Sequence, residues 1–224
     1  MKKIFLFLLG VSFVTQSLSQ EVVVLRDFGF WGGVSLEKKI KKDYTFKLDQ
    51  QIRLNKDAST FDDYLAELEA EYKINKHFEL GTHARYIYNQ TRKGNKEENL
   101  RYGFEITYKN KLSEDLKFYY RLRFQKGEKD FQSSRTLDYS SAFRHMVKFK
   151  YTKLKRVIPY TSMELFRVSR RFEDPEFHKW RIFIGSELKN KLGEIDIAMG
   201  YERELQTQYP FSFLFTKLIY TFKL

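Results

Sequence analysis

From Tyr44 to Leu205 the chain trades apolar for polar side chains at nearly every second residue, in segment after segment. Tyr44, Phe46, Leu48, Gln50, Ile52 and Leu54 alternate with Thr45, Lys47, Asp49, Gln51 and Arg53. Leu100, Tyr102, Phe104, Ile106 and Tyr108 alternate with Arg101, Gly103, Glu105, Thr107 and Lys109. Leu116, Phe118, Tyr120, Leu122 and Phe124 alternate with Lys117, Tyr119, Arg121, Arg123 and Gln125. Successive side chains of a strand point to opposite faces, so this period of two predicts two-faced strands. They run to about 10–15 residues, against roughly 5–6 for an average soluble strand. In the segment 78–89 only Ile87 is out of step.

The stretch DDYLAELEAEYKIN (62–75) reads two ways. Phe61, Tyr64, Leu65, Leu68 and Tyr72 stand at helical spacing, and its Ala, Leu and Glu are good helix formers. The same stretch also alternates Tyr64, Ala66, Leu68, Ala70, Tyr72 and Ile74 against Leu65, Glu67, Glu69, Glu71 and Lys73. A lone helix would leave the edges of its neighbouring strands unpaired, so the strand reading is preferred. It creates an acidic ladder, Glu67, Glu69 and Glu71, with Lys47, Arg53 and Arg85 as cross-strand partners.

Connections between segments alternate in length. Short turns fall near 41–43, 75–76, 113–114, 153–155 and 191–193, and longer polar links near 56–59, 91–98, 126–135, 170–176 and 206–210. Short turns on one rim and long loops on the other are the pattern of an outer-membrane barrel. Eleven segments are counted, whereas bacterial single-chain barrels normally have an even number. Either Val22–Leu25 adds a twelfth strand or one segment is no stave, the weakest being 156–169 with Pro159. The expected fold is all-β: a transmembrane antiparallel up-and-down β-barrel of ten to twelve strands.

At the N-terminus Lys2 and Lys3 precede an apolar run, Ile4 to Val14, then Ser17-Leu18-Ser19. This reads as a secretory signal peptide over 1–19, cleaved before Gln20, leaving a single barrel domain over 20–224. As a helix the run rises only ~16 Å, too little to span a bilayer. With zero cysteine, disulfides and thiolate chemistry are excluded. The mean hydropathy of −0.56 beside 22 Phe and 15 Tyr is unusual for a soluble enzyme. It is ordinary for a barrel with a polar lumen and aromatic girdles. The formal charge of +12 falls to +10 without Lys2 and Lys3, which suits anionic lipid or small anions and, in an exported protein, not nucleic acid.

The segment DFGFWGGVSLEKK (27–39) resembles the start of a family of exported Bacteroidetes proteins catalogued as domain of unknown function 2490. Similar to that family are also YTFKLDQQIRLN (44–55), RYGFEITY (101–108), FYYRLRFQ (118–125) and RRFEDPEFHKWRIFIGSELK (170–189). The resemblance covers essentially the whole mature chain. It implies an outer-membrane-type β-barrel and supplies no activity, ligand or catalytic residue. The ending Leu218, Tyr220, Phe222, Leu224 looks like a barrel insertion signal, with Leu in place of a terminal Phe.

Catalytic and metal motifs are not evident. His77, His83, His145 and His178 are scattered, read as solvated or interfacial, and none has a serine two positions on. Gly29, Gly32 and Gly33 lack the context of a phosphate loop and suggest a bulge, a bend or close packing. Loop carboxylates Glu97, Glu98, Glu173, Asp174 and Glu176 read as solvated charge. The polar face is the informative feature. Lys117, Arg121 and Arg123 neighbour Arg144, Lys148 and Lys150 as a cationic wall, while Lys179, Arg181 and Lys189 face Glu194, Asp196, Glu202 and Glu204. If this face lines a lumen, the charges form either a salt-bridged plug or a narrow anion-favouring pore.

The expectation is therefore a monomeric, non-enzymatic barrel of the cell outer membrane, contacting lipid and passing or binding a small anionic solute, without cofactor or metal. A soluble lipocalin-like barrel, with its apolar face around a ligand, has the same period and stays open. A lipid-modifying barrel enzyme is the third reading.

Overall fold

The computed structural model describes residues 24–90, 96–127, 141–169 and 174–224. Among them form β1 (Leu25–Ile40), β2 (Tyr44–Asn55), β3 (Thr60–Lys73), β4 (Phe78–Gln90), β5 (Lys96–Lys111) and β6 (Leu116–Gly127). The chain continues through β7 (Ser141–Tyr151), β8 (Val157–Ser169), β9 (Glu176–Lys189), β10 (Gly193–Glu204) and β11 (Phe211–Lys223). Strand follows strand around one closed barrel. The expected signal peptide, 1–19, lies outside the described residues, as do Val22 and Val23 of the suspected twelfth strand; Leu25 begins β1.

Every sequential pair is antiparallel, as the hairpin pattern requires, but β1 and β11 close the barrel in parallel. The expected wholly antiparallel closure is corrected here. With an odd number of up-and-down staves, the first and last run the same way, so only a parallel seam can join them. The stretch with two readings is strand β3, its Glu67 opposite Arg85 and its Glu69 opposite Lys47.

The weak segment 156–169 is a full stave. Its alternation is blurred because Ile158, Tyr160, Phe166 and Val168 are buried inside while Val157 and Met163 are exposed outside. Pro159 stands one step beyond the last pair with β7, Lys150 opposite Tyr160, where its missing N–H breaks no ladder bond. The residue out of step in β4 also finds its reason. Ile87 lies opposite Leu65, and the two form a small buried apolar contact inside the barrel.

The two faces are sorted opposite to a soluble core. Asp49, Glu67, Glu105, Arg123, Arg144, Glu164, Arg181, Glu187 and Glu202 are buried within, while Leu68, Phe104, Ile106, Met163, Ile184, Ile197 and Leu218 are exposed outside. Exposure reaches 65% at Phe104 and 68% at Ile184. The apolar face therefore lines no interior cavity.

One side of the interior is aromatic. Trp31, Tyr160, Phe183, Phe213 and Phe215 pack together with Ala198, with Trp31 stacked on Phe215 at 3.8 Å and Phe183 edge-on to Phe215 at 5.5 Å. Glycines make room for it, so close packing is the use of Gly29: a methyl there would overlap the Phe213 ring, and one at Gly200 the Phe215 ring. Because Phe215 is fully buried, its ring has nowhere to retreat. Gly200→Ala is expected to cost about 1–3 kcal/mol, read as a lower urea midpoint of the folded barrel.

Candidate functional site

The site is the barrel interior, built from the inward positions of strands whose outward positions are apolar. Arg123 on β6 donates to Glu67 (3.1 Å) and Glu69 (2.8 Å) on β3 and to Glu105 on β5. Arg121 reaches Glu105 at 3.9 Å and Glu164 on β8 at 3.0 Å. Glu164 also accepts from Arg144 on β7 at 2.9 Å and lies 3.4 Å from Arg181 on β9. Arg181 and Lys179 both donate to Glu202 on β10. Arg85 on β4 completes the set through Glu67. Six cations and five carboxylates thus form one continuous network from β3 to β10.

Smaller groups stand nearer the short-turn rim. Lys148 and Lys150 share Glu187 at 3.0 and 2.7 Å. Asp196 accepts from Tyr160 (2.7 Å) and Lys217 (2.6 Å). Asp49 joins Lys47, at 2.9 Å, to the Ser35 hydroxyl.

Both sequence-derived features are therefore inside the barrel, in the paired relation that was one of the two arrangements left open. The acidic ladder holds through Glu67 and Glu69, whereas Glu71 has no ion-pair partner among the described residues. The cationic wall is not an unneutralised surface. Arg123 does lie directly opposite Arg144, and Lys117 opposite Lys150, but Glu67 on β3 answers Arg123 from across the lumen and Glu164 on the neighbouring β8 answers Arg144. Adjacent-strand reasoning overlooks this because Glu67 is 56 residues from Arg123 and three strands away. Lys117 makes no ion pair among the described residues. Of the facing pairs expected on β9 and β10, Lys179 opposite Glu204, Arg181 opposite Glu202 and Lys189 opposite Glu194 are in register.

The histidines remain apart. His77 bonds the Lys109 carbonyl at 3.0 Å, and His145 bonds the Tyr120 hydroxyl at 2.9 Å. His83 and His178 correct the solvated reading: both are buried, because the inward face of this barrel is a filled interior. Among the described residues no three His, Asp or Glu side chains gather as a metal group; Glu173 lies outside them.

At the long-loop end, above the network, the interior leaves a chamber of about 110 Å³. Arg53, Arg85, Arg101, Arg144, Lys179 and Arg181 wall it together with Asp62, Asp63 and Glu202. Trp31 lies close to two of these cations, 3.9 Å from the Arg53 guanidinium and 4.8 Å from that of Arg181. Neither the chamber nor its indole was legible in the sequence, since Trp31 shares the glycine-rich β1 and its lumenal neighbours come from distant strands.

Fold and interior together define a closed β-barrel with an ionic, internally paired lumen. The chain belongs to the family described as Protein of unknown function (DUF2490), whose profile matches residues 28–209. The matched region contains all but the first residue of the 27–39 segment that carried the resemblance and ends before β11. Comparison with curated proteins and with solved structures gave no match.

Proposed function

We propose that this protein is an outer-membrane β-barrel whose lumen is closed to free diffusion by its own ion pairs, and that it binds a small anionic solute instead of conducting one. The observation carrying the membrane reading is the inverted sorting of faces: charges are paired inside, and large aliphatic and aromatic side chains stand exposed around the outside. Water would disfavour so broad an apolar surface, and lipid would cover it.

Position along the strands supports the same reading. Outward aromatics gather towards the short-turn rim, with Tyr44 against Tyr72 (5.0 Å), Phe78 against Tyr108 (5.2 Å) and Phe118 against Phe149 (5.4 Å). A second set gathers towards the long-loop rim, Phe61 against Tyr88, Phe124 against Phe143 and Trp180 against Tyr201. Between them run Leu68, Ile106, Met163, Ile184 and Ile197, which matches two interfacial girdles around an aliphatic band. At the short-turn rim Ile40, Ile74, Leu112, Leu154 and Leu192 are exposed beside Lys41, Lys76, Lys111, Lys155 and Lys191. Such aliphatic–lysine collars suit a boundary with anionic headgroups.

Closure of the lumen is supported by the network from β3 to β10 and the aromatic cluster beside it. Barrels of 16–18 strands leave a water channel, whereas this narrower one is crossed by its side chains. The soluble lipocalin-like reading needs the apolar face inside, and that face is outside.

Cell fractionation followed by electrophoresis with and without boiling tests the membrane reading; recovery in the outer membrane with a heat-dependent mobility shift is expected. A soluble periplasmic protein would overturn it. Reconstituted into planar bilayers, the barrel is expected to show no steady open-channel conductance, and porin-like steps would overturn the closed lumen.

A further inference from the structure

The chamber at the long-loop end carries more donors than its own acceptors use. Its carboxylates are engaged. Glu202 is held by Lys179 and Arg181, Asp62 accepts from Asn55 at 2.8 Å, and Asp63 stands 4.0 Å from Arg53. Donors remain over. The Trp31 indole N–H, the Arg53 Nε–H and the Arg144 Nε–H are buried without an acceptor among the described residues. Trp31 and Arg144 are each more than nine-tenths buried, at 6% and 8% exposure, and all three side chains wall the same space.

A buried N–H without an acceptor carries its full desolvation penalty, and a charged group a larger one, so three around one cavity call for an occupant rich in acceptors. The space is adequate. A water needs about 10–15 Å³ of such volume, and the chamber has about 110 Å³, room for a small polyatomic ion. The charge of the wall selects its sign: six cations stand against three carboxylates. The Arg53 guanidinium carbon lies 3.9 Å from the centre of the Trp31 ring, so the cation is held against the indole beside the chamber.

We propose that the chamber is a binding site for a small oxyanion of the phosphate class, held by the Trp31 N–H and the guanidinium groups of Arg53 and Arg144. An oxyanion presents several acceptor oxygens around one centre, matching N–H groups offered from β1, β2 and β7. Chloride presents no such set. The bound anion would also offset the surplus positive charge above the network, linking occupancy to stability. This inference rests on the closed lumen proposed above, since an open pore would exchange the ion without retaining it.

Trp31 supplies the test. The chain has two tryptophans, and the other, Trp180, packs against Tyr201 on the outward face. In a Trp180→Phe protein folded in micelles, Trp31 emission should change saturably with inorganic phosphate at constant ionic strength, and not with chloride. Arg53→Gln in that background should weaken the response by about tenfold or more. Broadening of the ³¹P resonance of phosphate by the unsubstituted barrel provides a readout that needs no variant. Absence of both the saturable emission change and the broadening would overturn the site, as would an Arg53→Gln protein that folds and titrates like its parent. A response to short-chain phosphatidic acid but not to inorganic phosphate would overturn the free-anion assignment. Planar-bilayer conductance is independent of this readout, so failure of the closed lumen and failure of the site are separately visible.

Discussion

Glu164→Gln is expected to destabilise the barrel by about 3–5 kcal/mol, the largest effect of any single lumenal substitution. Glu164 is 3% exposed and is the one carboxylate shared by Arg121, Arg144 and Arg181. Removing its charge while leaving its shape keeps the packing, leaves Arg144 without a carboxylate among the described residues, and takes one of two counter-charges from Arg121 and from Arg181. Breaking a buried pair costs more than the pair is worth, because an uncompensated charge is left behind. Neutralising Lys39, whose side chain is 69% exposed beside Glu37, should shift stability by less than about 1 kcal/mol. Urea unfolding of both variants in identical micelles checks the contrast. Equal midpoints would mean that the lumen is hydrated enough to solvate its arginines, against the closed interior.

Arginine placed at Ile184 or Ile106 should impair insertion by about 2–4 kcal/mol where the position lies near the bilayer midplane. Both side chains are exposed on the outer apolar band, Ile184 by 68% and Ile106 by 40%. The measurement is the folded fraction after dilution from urea into lipid vesicles, read by heat-shifted mobility. A surface Ile→Arg change in water is worth within about 0.5 kcal/mol, so a soluble barrel would ignore both substitutions. The outcome thus separates lipid from water at the same two positions.

Much of the fold is legible in the sequence because a strand's period is a local property. The alternation around Tyr44, Leu100 and Leu116 needs only successive residues, and it yields the staves, the turns and the opposition of an apolar and a charged face. The same locality explains β3: Glu67, Glu69 and Glu71 read as one ladder without reference to the rest of the chain. Exceptions to the period carried information as well. Ile87, the residue out of step in its segment, faces Leu65 on the polar side of β3.

Periodicity is blind to direction and to closure. It could not say which face lies inside, since a barrel and its inversion share one pattern. Nor could it show that β1 meets β11 in parallel, a consequence of the number of staves and not of any residue in either strand. It also could not choose an arrangement for the basic wall. Seen along β6 and β7, Lys117, Arg121, Arg123, Arg144, Lys148 and Lys150 repel their neighbours, so a salt-bridged plug and an anion-favouring pore both stayed open. Folding the sheet brings Glu67 and Glu69 to Arg123 and Glu187 to Lys148, because side chains in a narrow lumen reach past their neighbouring strands, while Glu164 meets Arg144 from the adjacent β8. The sequence by itself determined the staves and the chemical contrast between their faces, through interactions between near neighbours. Only the tertiary structure decided which charges pair and which donors on Trp31, Arg53 and Arg144 are left over, because those depend on distances across the barrel that local order does not encode.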